Sequence, residues 1–242
     1  MIQDIGPVFW KEWRELLRAG PGHERGSIAF GIAVLALGAW SAGVIVAGPF
    51  GASWGAVNLS GFLAALTAAS GAGDSFAGER ERRTLETLLA SCLSDAGIFI
   101  GKIAATVAYA WGASLIFLAA GVVTSAILYG WRGALGLGVV LGSGLSLALA
   151  VLVAGVGVLT SLRASTVRQA QQALMLSLTA LGLAPYLAYR FLPVAWKDAL
   201  GAWVSRAGLR ALPALAALLL IAAGGVLWAG LVRFRRERLI LF

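Results

Sequence analysis

The stretch that decides the fold is residues 74–91, with the sequence Asp-Ser-Phe-Ala-Gly-Glu-Arg-Glu-Arg-Arg-Thr-Leu-Glu-Thr-Leu-Leu-Ala-Ser. Between Glu79 and Glu86 it carries three acids and three arginines, whereas the runs on either side are almost free of charge. Each charge at the centre of a membrane helix costs about 2.5 to 3.5 kcal/mol, so six would cost roughly 15 to 20 kcal/mol. We therefore expect this stretch to lie in water, between two membrane helices.

The composition of the rest of the chain indicates a membrane protein. The 242 residues are 60% hydrophobic and only 12% charged, whereas a soluble domain has about 25% charged residues. The 32 glycines suit helices that approach each other closely in lipid. The formal charge of +8 comes from residues in the connections and at the ends of apolar runs, which fits membrane topology better than nucleic-acid binding. The sequence predicts an all-α membrane protein.

Six apolar runs are long enough to cross a bilayer, which takes about 20 helical residues. They are residues 28–48, 55–74, 102–128, 134–161, 169–189 and 212–232. We expect one transmembrane domain over 1–242, with helices 1–2 in 28–74 and helices 3–5 in 102–189. The remaining segments are the N-terminal region 1–26, the charged segment 75–97, a long connection 190–211 and the tail 233–242.

The distribution of positive residues predicts the orientation. Fourteen of the 19 lysines and arginines lie on the side that holds both termini and residues 75–97, and five lie on the other side. Because lysine and arginine favour the cytoplasmic side of a membrane, both termini and the charged segment are predicted to be cytoplasmic. An even number of spans agrees with this orientation.

Two segments outside the spans are predicted to be helices at the membrane surface. In residues 3–19, Ile5, Phe9 and Trp13 fall on one face at helical spacing, and most charged residues lie off it. This pattern is typical of an interfacial helix, the alternative being a helix packed on a soluble partner. In residues 190–210, two tryptophans at helical spacing, Trp196 and Trp203, predict a short helix on or in the outer leaflet rather than an ordinary solvated loop.

The charged stretch itself is predicted to be helical. Glu79 with Arg83, and Arg82 with Glu86, are spaced to pair along a helix. Such exposed pairs contribute only about 0.3 to 0.5 kcal/mol each, so stability does not explain so dense a cluster. The stretch is either a helix that docks another protein or a solvated loop that sets topology. Its narrow apolar face consists of Leu85, Leu88 and Leu89.

Residues 76–91, followed by Gly101 and Lys102, closely resemble the signature of type-2 ATP-binding-cassette (ABC) exporter permeases. In that family the pattern is roughly Gly-Glu-Arg/Lys-Glu-Arg-Gly-Thr-Leu/Ile-Glu-x-Leu-Leu-x-Ser/Thr-Pro, with a Gly-Lys pair at the start of the next span. The order of segments along the whole chain is similar to that family as well. Arg83 stands where the family often has glycine, and Cys92 where it often has proline.

The resemblance implies a permease subunit that pairs with a second copy of itself or with a related permease, and that binds cassette ATPase subunits. The coupling segment that contacts the ATPase would contain Glu79, Arg80, Arg82, Arg83, Thr84, Leu85, Glu86, Leu88 and Leu89. The N-terminal helix would be the elbow helix, with Phe9, Trp10, Trp13 and Arg14. The second and fifth spans would line the pathway with Asn58, Thr67, Ser70, Gln172, Ser177 and Thr179. For any single one of these polar side chains a packing contact is the favoured interpretation, since serine and threonine bond their own helix in lipid.

The residues offer no catalytic, cofactor or metal site of this chain's own. Residues 97–103 superficially resemble a phosphate loop, but the first glycine is one residue too close and Ile103 replaces the required serine or threonine. His23 is the only histidine and precedes the first span, and Cys92 is the only cysteine. These counts argue against a Ser/His pair in the bilayer and against a His/Cys metal cluster. ATP and magnesium are expected in the partner ATPase.

The sequence therefore predicts the permease subunit of an ABC exporter in the bacterial inner (cytoplasmic) membrane, in contact with lipid and without a nucleic-acid partner. The weakly polar residues of the expected pathway favour an amphipathic or lipid-like substrate. The alternative is a membrane scaffold that recruits or regulates a cytoplasmic partner without transporting anything, because the same charged helix would serve that role.

Overall fold

The computed structural model describes residues 2–18, 32–40, 54–84, 87–88, 90–130, 137–207 and 211–233. Within these residues the long elements are all helical and no β-strand occurs, so the predicted all-α class is confirmed for this part of the chain. The helices are α1 (Ile2–Arg18), α2 (32–40), α3 (Trp54–Glu81), α4 (Asp95–Tyr129), α5 (Leu137–Arg163), α6 (Val167–Phe191), α7 (Val194–Ala207) and α8 (Ala211–Arg233).

Three of these helices are long and apolar enough to cross a membrane. The segments are Asp95–Leu128 in α4, Val139–Arg163 in α5 and Pro213–Val232 in α8. They contain or largely overlap the third, fourth and sixth apolar runs of the sequence. A helix needs about 20 residues to span the hydrocarbon layer, and each segment reaches that length. The chain therefore has the helices of a membrane protein, and six spans remain a prediction.

The centre of the fold is the contact between α3 and α5, the most extensive contact between two described helices. Fully buried alanines from both helices meet there: Ala64, Ala68, Ala69 and Ala72 from α3, and Ala150 and Ala154 from α5. At Gly157 of α5, an added Cβ would lie only 2.5 Å from the Cβ of Ala72. Small side chains thus allow the two backbones to approach closely, as expected for helices that pack in lipid.

Helix α1 packs along the first half of α4. Val8 is buried, and an added Cβ at Gly101 would lie 2.8 Å from the Val8 Cβ. Phe9 and Trp13 stack with ring centroids 6.0 Å apart, and Trp13 meets Tyr109 of α4 edge-on at 6.3 Å. Part of the apolar face that the sequence assigns to the membrane interface therefore lies against the protein itself.

The long connection predicted at 190–211 contains a 14-residue helix, α7. Its Trp196 is exposed. Three further helices pack on the central pair: α4 packs on α3 and α5, α8 packs on α5, and α6 packs on both α3 and α5. This arrangement brings the charged end of α3 next to α1, the start of α4, the end of α5 and the start of α6.

Candidate functional site

The first half of the charged stretch is not a separate helix but the last turns of α3. This helix continues beyond the predicted span 55–74 and ends at Glu81. Phe76, Ala77 and Glu79 are buried, whereas Glu81 and the three residues that follow are exposed. The expectation that the whole stretch lies in water is therefore wrong for its first part, because Glu79 is only 4% exposed.

Glu79 belongs to a group of four charges, which we call the ion cluster: Lys11, Glu12, Glu79 and Lys102. Glu12, Glu79 and Lys102 are buried, whereas the side chain of Lys11 is 45% exposed. The Nζ of Lys102, which is 1% exposed, lies 2.6 Å from Glu12 Oε1 and 3.4 Å from Glu79 Oε1. The Nζ of Lys11 lies 2.7 Å from the same oxygen of Glu79. Two carboxylates and two ammonium groups balance, which is how charges are tolerated away from water. The cluster joins α1, α3 and α4 through their side chains.

The charge state of Glu79 follows from these partners. Burial alone would raise the pKa of Glu79, but the nearby Lys102 ammonium, with hydrogen bonds from Lys11 and Thr84, lowers it from 4.5 to about 2. Burial likewise opposes the charge of Lys11, but the hydrogen bond to Glu79 and the attraction of the Glu12, Glu79 and Glu15 carboxylates together outweigh it and raise the Lys11 pKa. Both groups are therefore ionised at neutral pH.

The next two residues of α3 bind the ends of two other helices. The guanidinium of Arg80 donates to Leu162 O at 3.2 Å and also to Ala164 O, at the C-terminal end of α5. Glu81 Oε1 accepts a hydrogen bond of 2.8 Å from the backbone N–H of Val167, the first residue of α6. A cation at a helix C-terminus and an anion at an N-terminus each complement the helix dipole. Adjacent residues thus hold the α5–α6 connection.

Arg82 is exposed and pairs within the protein. Its Nη2 lies 2.9 Å from Asp74 Oδ2, and its Nη1 lies 4.0 Å from Glu15 of α1. The sequence predicted pairs four residues apart, Glu79 with Arg83 and Arg82 with Glu86. Glu79 instead faces the ion cluster and Arg82 faces Asp74. Glu86, Leu85 and Leu89 lie outside the described residues.

Arg83 ends α3 in a left-handed conformation. The N–H of Thr84 bonds Glu79 O at 2.9 Å, and the N–H of Arg83 bonds Arg80 O at 3.1 Å. These two bonds define a Schellman C-cap, in which the residue at the Arg83 position has a positive φ and is usually glycine. The φ of Arg83 is 56°. Glycine adopts this conformation with the least strain, and this chain forms the turn with an arginine.

The segment that follows lies against the core on one side and solvent on the other. Leu88 packs against the core cluster, while Arg83, Thr87 and Cys92 are exposed. Thr84 donates its hydroxyl to Glu79 Oε2. Ser94 then caps α4, and its hydroxyl donates to Asp4 of α1 at 2.7 Å. Of the predicted ATPase-contact residues that the structure describes, Arg82, Arg83 and Thr84 are the exposed ones.

The predicted elbow residues divide between two faces of α1. Phe9 and Trp13 face α4, as described above. Trp10 is 53% exposed, and the Arg14 guanidinium lies 4.9 Å from the centre of its ring. With Pro7, Lys11 and Glu15 these two residues line a shallow surface cavity of about 400 Å³. The outer face of α1 therefore keeps the tryptophan and cation of an interfacial helix.

The predicted pathway residues are not gathered into one polar site in the described part of the chain. Thr67 is buried and donates to Leu63 O at 2.8 Å, and Ser70 donates to Thr67 O at 2.9 Å. Ser177 donates to Ala173 O at 2.8 Å. These hydroxyls therefore donate to carbonyls of their own helices. This agrees with the alternative interpretation in which they are packing contacts and not part of a pathway. Gln172 and Thr179 are exposed, and the side chain of Asn58 lies outside the described residues.

One carboxylate group has the spacing of a metal site, yet lysines already neutralise it. Glu12, Glu15 and Glu79 place one oxygen each within 4.8 Å of one another. Lys11 lies 3.6 Å from Glu12 and 3.4 Å from Glu15, in addition to its bond with Glu79. We therefore interpret these acids as part of an ion-pair network.

Sequence reasoning missed the partners of the charged stretch, because they are remote in the chain. Glu12 and Lys102 are 90 residues apart, and the sequence marked Lys102 as a cytoplasmic positive charge and as part of the Gly-Lys pair of the resembling signature, not as a partner of Glu12 or Glu79. The available signal was a lysine inside the beginning of an apolar run, where a charge needs a buried partner.

No protein-family model matches this chain, and no curated protein matches it significantly.

Proposed function

We propose that this chain is the transmembrane permease subunit of an ABC exporter of the bacterial inner membrane. In this proposal it forms six spans, with both termini in the cytoplasm, and works as a dimer with itself or with a related permease. Separate cassette ATPases bind ATP and magnesium. The proposal rests on the resemblance of residues 76–91 to the permease signature and on the place of those residues in the fold.

The observation that carries the proposal is that consecutive residues at the end of α3 each bind a different helix. Glu79 reaches α1 and α4 through the ion cluster, Arg80 reaches the end of α5, and Glu81 reaches the start of α6. A push on the exposed residues that follow would therefore act on four other helices together. This is the arrangement that a coupling element needs, because a contact outside the membrane must move helices within it.

The mechanism follows from this connectivity. ATP binding would bring the two ATPases together beneath the permease dimer, and the exposed segment after Arg82 would move with them. The ion cluster and the helix-end contacts would carry that displacement to the spans, so that an inward-open pathway closes and opens outward. Thr67, Ser70, Gln172, Ser177 and Thr179 supply mild polarity for an amphipathic or lipid-like substrate. ATP hydrolysis itself takes place in the partner.

Association with a cassette ATPase is the test of the proposal. The chain is co-expressed with a cassette ATPase encoded beside it, and the complex is purified in detergent through a tag on the permease. We expect the ATPase to co-purify with the wild-type chain. The variant Arg83→Glu should lose most of the bound ATPase, because Arg83 is exposed at the start of the proposed contact.

The matched control is Arg190→Glu, which reverses the charge of an exposed arginine at the opposite end of α6. It should retain the ATPase at the wild-type level. Absence of any ATPase from the purified wild-type protein would contradict the permease role. Equal retention by both variants would contradict the assignment of the contact to Arg83.

A further inference from the structure

One buried serine of α5 makes hydrogen bonds to a turn near the C-terminal end of α3. Ser161 is 0% exposed and lies two residues before Arg163, the last residue of α5, close to Phe76 and Ala77 of α3. Its Oγ accepts from the backbone N–H of Phe76 at 3.0 Å and from that of Ala77 at 2.9 Å. Its own O–H donates to Gly73 O at 3.0 Å. A hydroxyl has one proton and two lone pairs, so all its hydrogen-bonding capacity is used on α3.

The backbone carbonyls of Ala72 and Gly73 in the same turn also accept hydrogen bonds from side chains. In a regular α-helix Phe76 N–H would pair with Ala72 O, and Ala77 N–H with Gly73 O. Here Ala72 O accepts the hydroxyl of Ser75 at 2.7 Å, and Gly73 O accepts that of Ser161. Side chains therefore take part in the hydrogen bonding of one turn of α3. α3 is helical without interruption through this turn, so these hydrogen bonds tie the turn to the end of α5.

This turn stands between the two halves of α3. The alanines that pack on α5 end at Ala72, and the charged residues begin at Asp74. The direction in which the helix leaves this turn decides where Glu79, Arg80 and Glu81 lie relative to their partners. A buried, fully bonded hydroxyl at this place can fix that direction without any charge of its own.

We infer that Ser161 is a positioning residue that sets the direction of the charged end of α3 through its hydrogen bonds to Gly73, Phe76 and Ala77. The exposed segment that begins at Arg82 then takes its place from Ser161 as well. The consequence for transport rests on the proposed function, whereas the positioning itself can be measured on this chain alone.

The test compares Ser161→Thr with Ser161→Val in lipid nanodiscs, because these two side chains have nearly the same shape and differ by the hydroxyl. A spin label on Cys92, the only cysteine and an exposed one, reports the position of the segment. Hydrogen exchange of Phe76 and Ala77 reports the bonds themselves. In Ser161→Val we expect faster exchange at both amides, about tenfold, the factor for the loss of one hydrogen bond, and a shifted label spectrum. In Ser161→Thr the amide exchange rates and the label spectrum should stay close to those of the wild type.

A second buried serine, Ser60, provides the control. A further variant, Ser161→Ala, is used if Ser161→Val does not fold. Ser60 of α3 is also 0% exposed, and in the described part of the chain its hydroxyl bonds its own helix, at Val57 O, so Ser60→Ala should leave the Cys92 spectrum unchanged. An unchanged spectrum in the folded hydroxyl-free variant, or the same change in Ser161→Thr, would overturn the inference.

The outcome separates this inference from the proposed function. A changed label spectrum in Ser161→Val without any co-purifying ATPase would support the positioning role and contradict the permease role. If the ATPase binds, Ser161→Val should also lower the ATP hydrolysis rate of the complex. An unchanged rate would contradict a role of Ser161 in coupling to the ATPase.

Discussion

Residues 64–72 and 75–81 belong to the same helix, yet they are held by opposite kinds of contact. In the first half, alanines of α3 lie against alanines and a glycine of α5. In the second half, each charge binds a different element, and Glu79 is nearly as buried as the alanines. The difference shows what each half tolerates. The first half should be sensitive to added volume, and the second to the loss of a single charged partner.

Removal of Lys102 should have the largest effect. Lys102→Met would leave the carboxylates of Glu12 and Glu79 in the same buried space without the cation between them. Loss of one partner from a buried ionic group costs about 3 to 5 kcal/mol. We expect a lower unfolding temperature of the detergent-purified protein. Arg190→Met, at an exposed arginine, serves as the control, and equal melting of both variants would contradict a buried role for Lys102.

Acid should weaken the charged half before the apolar half. The pKa of Glu79 is about 2, below its ordinary 4.5, so its contribution is present above pH 4.5 and is lost as the pH falls toward 2. The depressed pKa corresponds to about 3 kcal/mol of stability across that range. Unfolding should therefore become easier between pH 4.5 and 2, and the Glu79→Gln variant should lack this part of the pH dependence. Identical pH profiles would refute the assignment.

Added volume should disturb the apolar half. In Gly157→Ala the new methyl group would sit 2.5 Å from the Cβ of Ala72, so α3 and α5 must separate. Overpacking of this kind costs about 1 to 3 kcal/mol. Gly224→Ala in α8, where no atom lies within 4 Å of the added Cβ, is the control and should be neutral or slightly stabilising. Thermal unfolding of both variants gives the comparison.

A single substitution at Arg83, which caps the C-terminal end of α3, should make the protein more stable. Arg83 has a φ of 56°, a conformation that costs an ordinary residue roughly 1 to 2 kcal/mol. Arg83→Gly removes this strain, although glycine also loses more chain entropy on folding, so a net gain of about 0.5 kcal/mol is expected. Arg83→Ala keeps the strain and should show no such gain. A glycine variant no more stable than the alanine variant would argue against the left-handed cap.

The sequence predicts more of the apolar half than of the charged half, for a physical reason. Long apolar runs, the amphipathic N-terminal helix and the charge boundary at Asp74 depend on local composition, and α1, α4, α5 and α8 agree with those predictions in type and approximate extent. Helical periodicity relates only residues three or four apart. It therefore suggested the pair of Glu79 with Arg83, and it gave no sign that Lys102 lies between Glu79 and Glu12.

The same limit applies to the small residues and to Ser161. Alanine and glycine spacing marks a helix face that can approach another helix closely, but it does not identify which helix that is. The Gly73–Ser161 contact joins residues 88 positions apart, and one serine among many gives no distinguishing pattern. The departure at Arg83 from the glycine of the resembling pattern marked this position as unusual, but it did not predict the positive φ.

The central claim is that the buried end of α3 transmits a partner's motion to the other helices. It is tested most directly by the ATP hydrolysis rate of a co-reconstituted cassette ATPase in lipid nanodiscs, with and without this chain. The wild-type chain should change that rate, whereas Glu79→Gln should still bind the ATPase through the exposed segment but lose most of the change. A Glu79→Gln complex that assembles and shows the full wild-type rate change would contradict the claim.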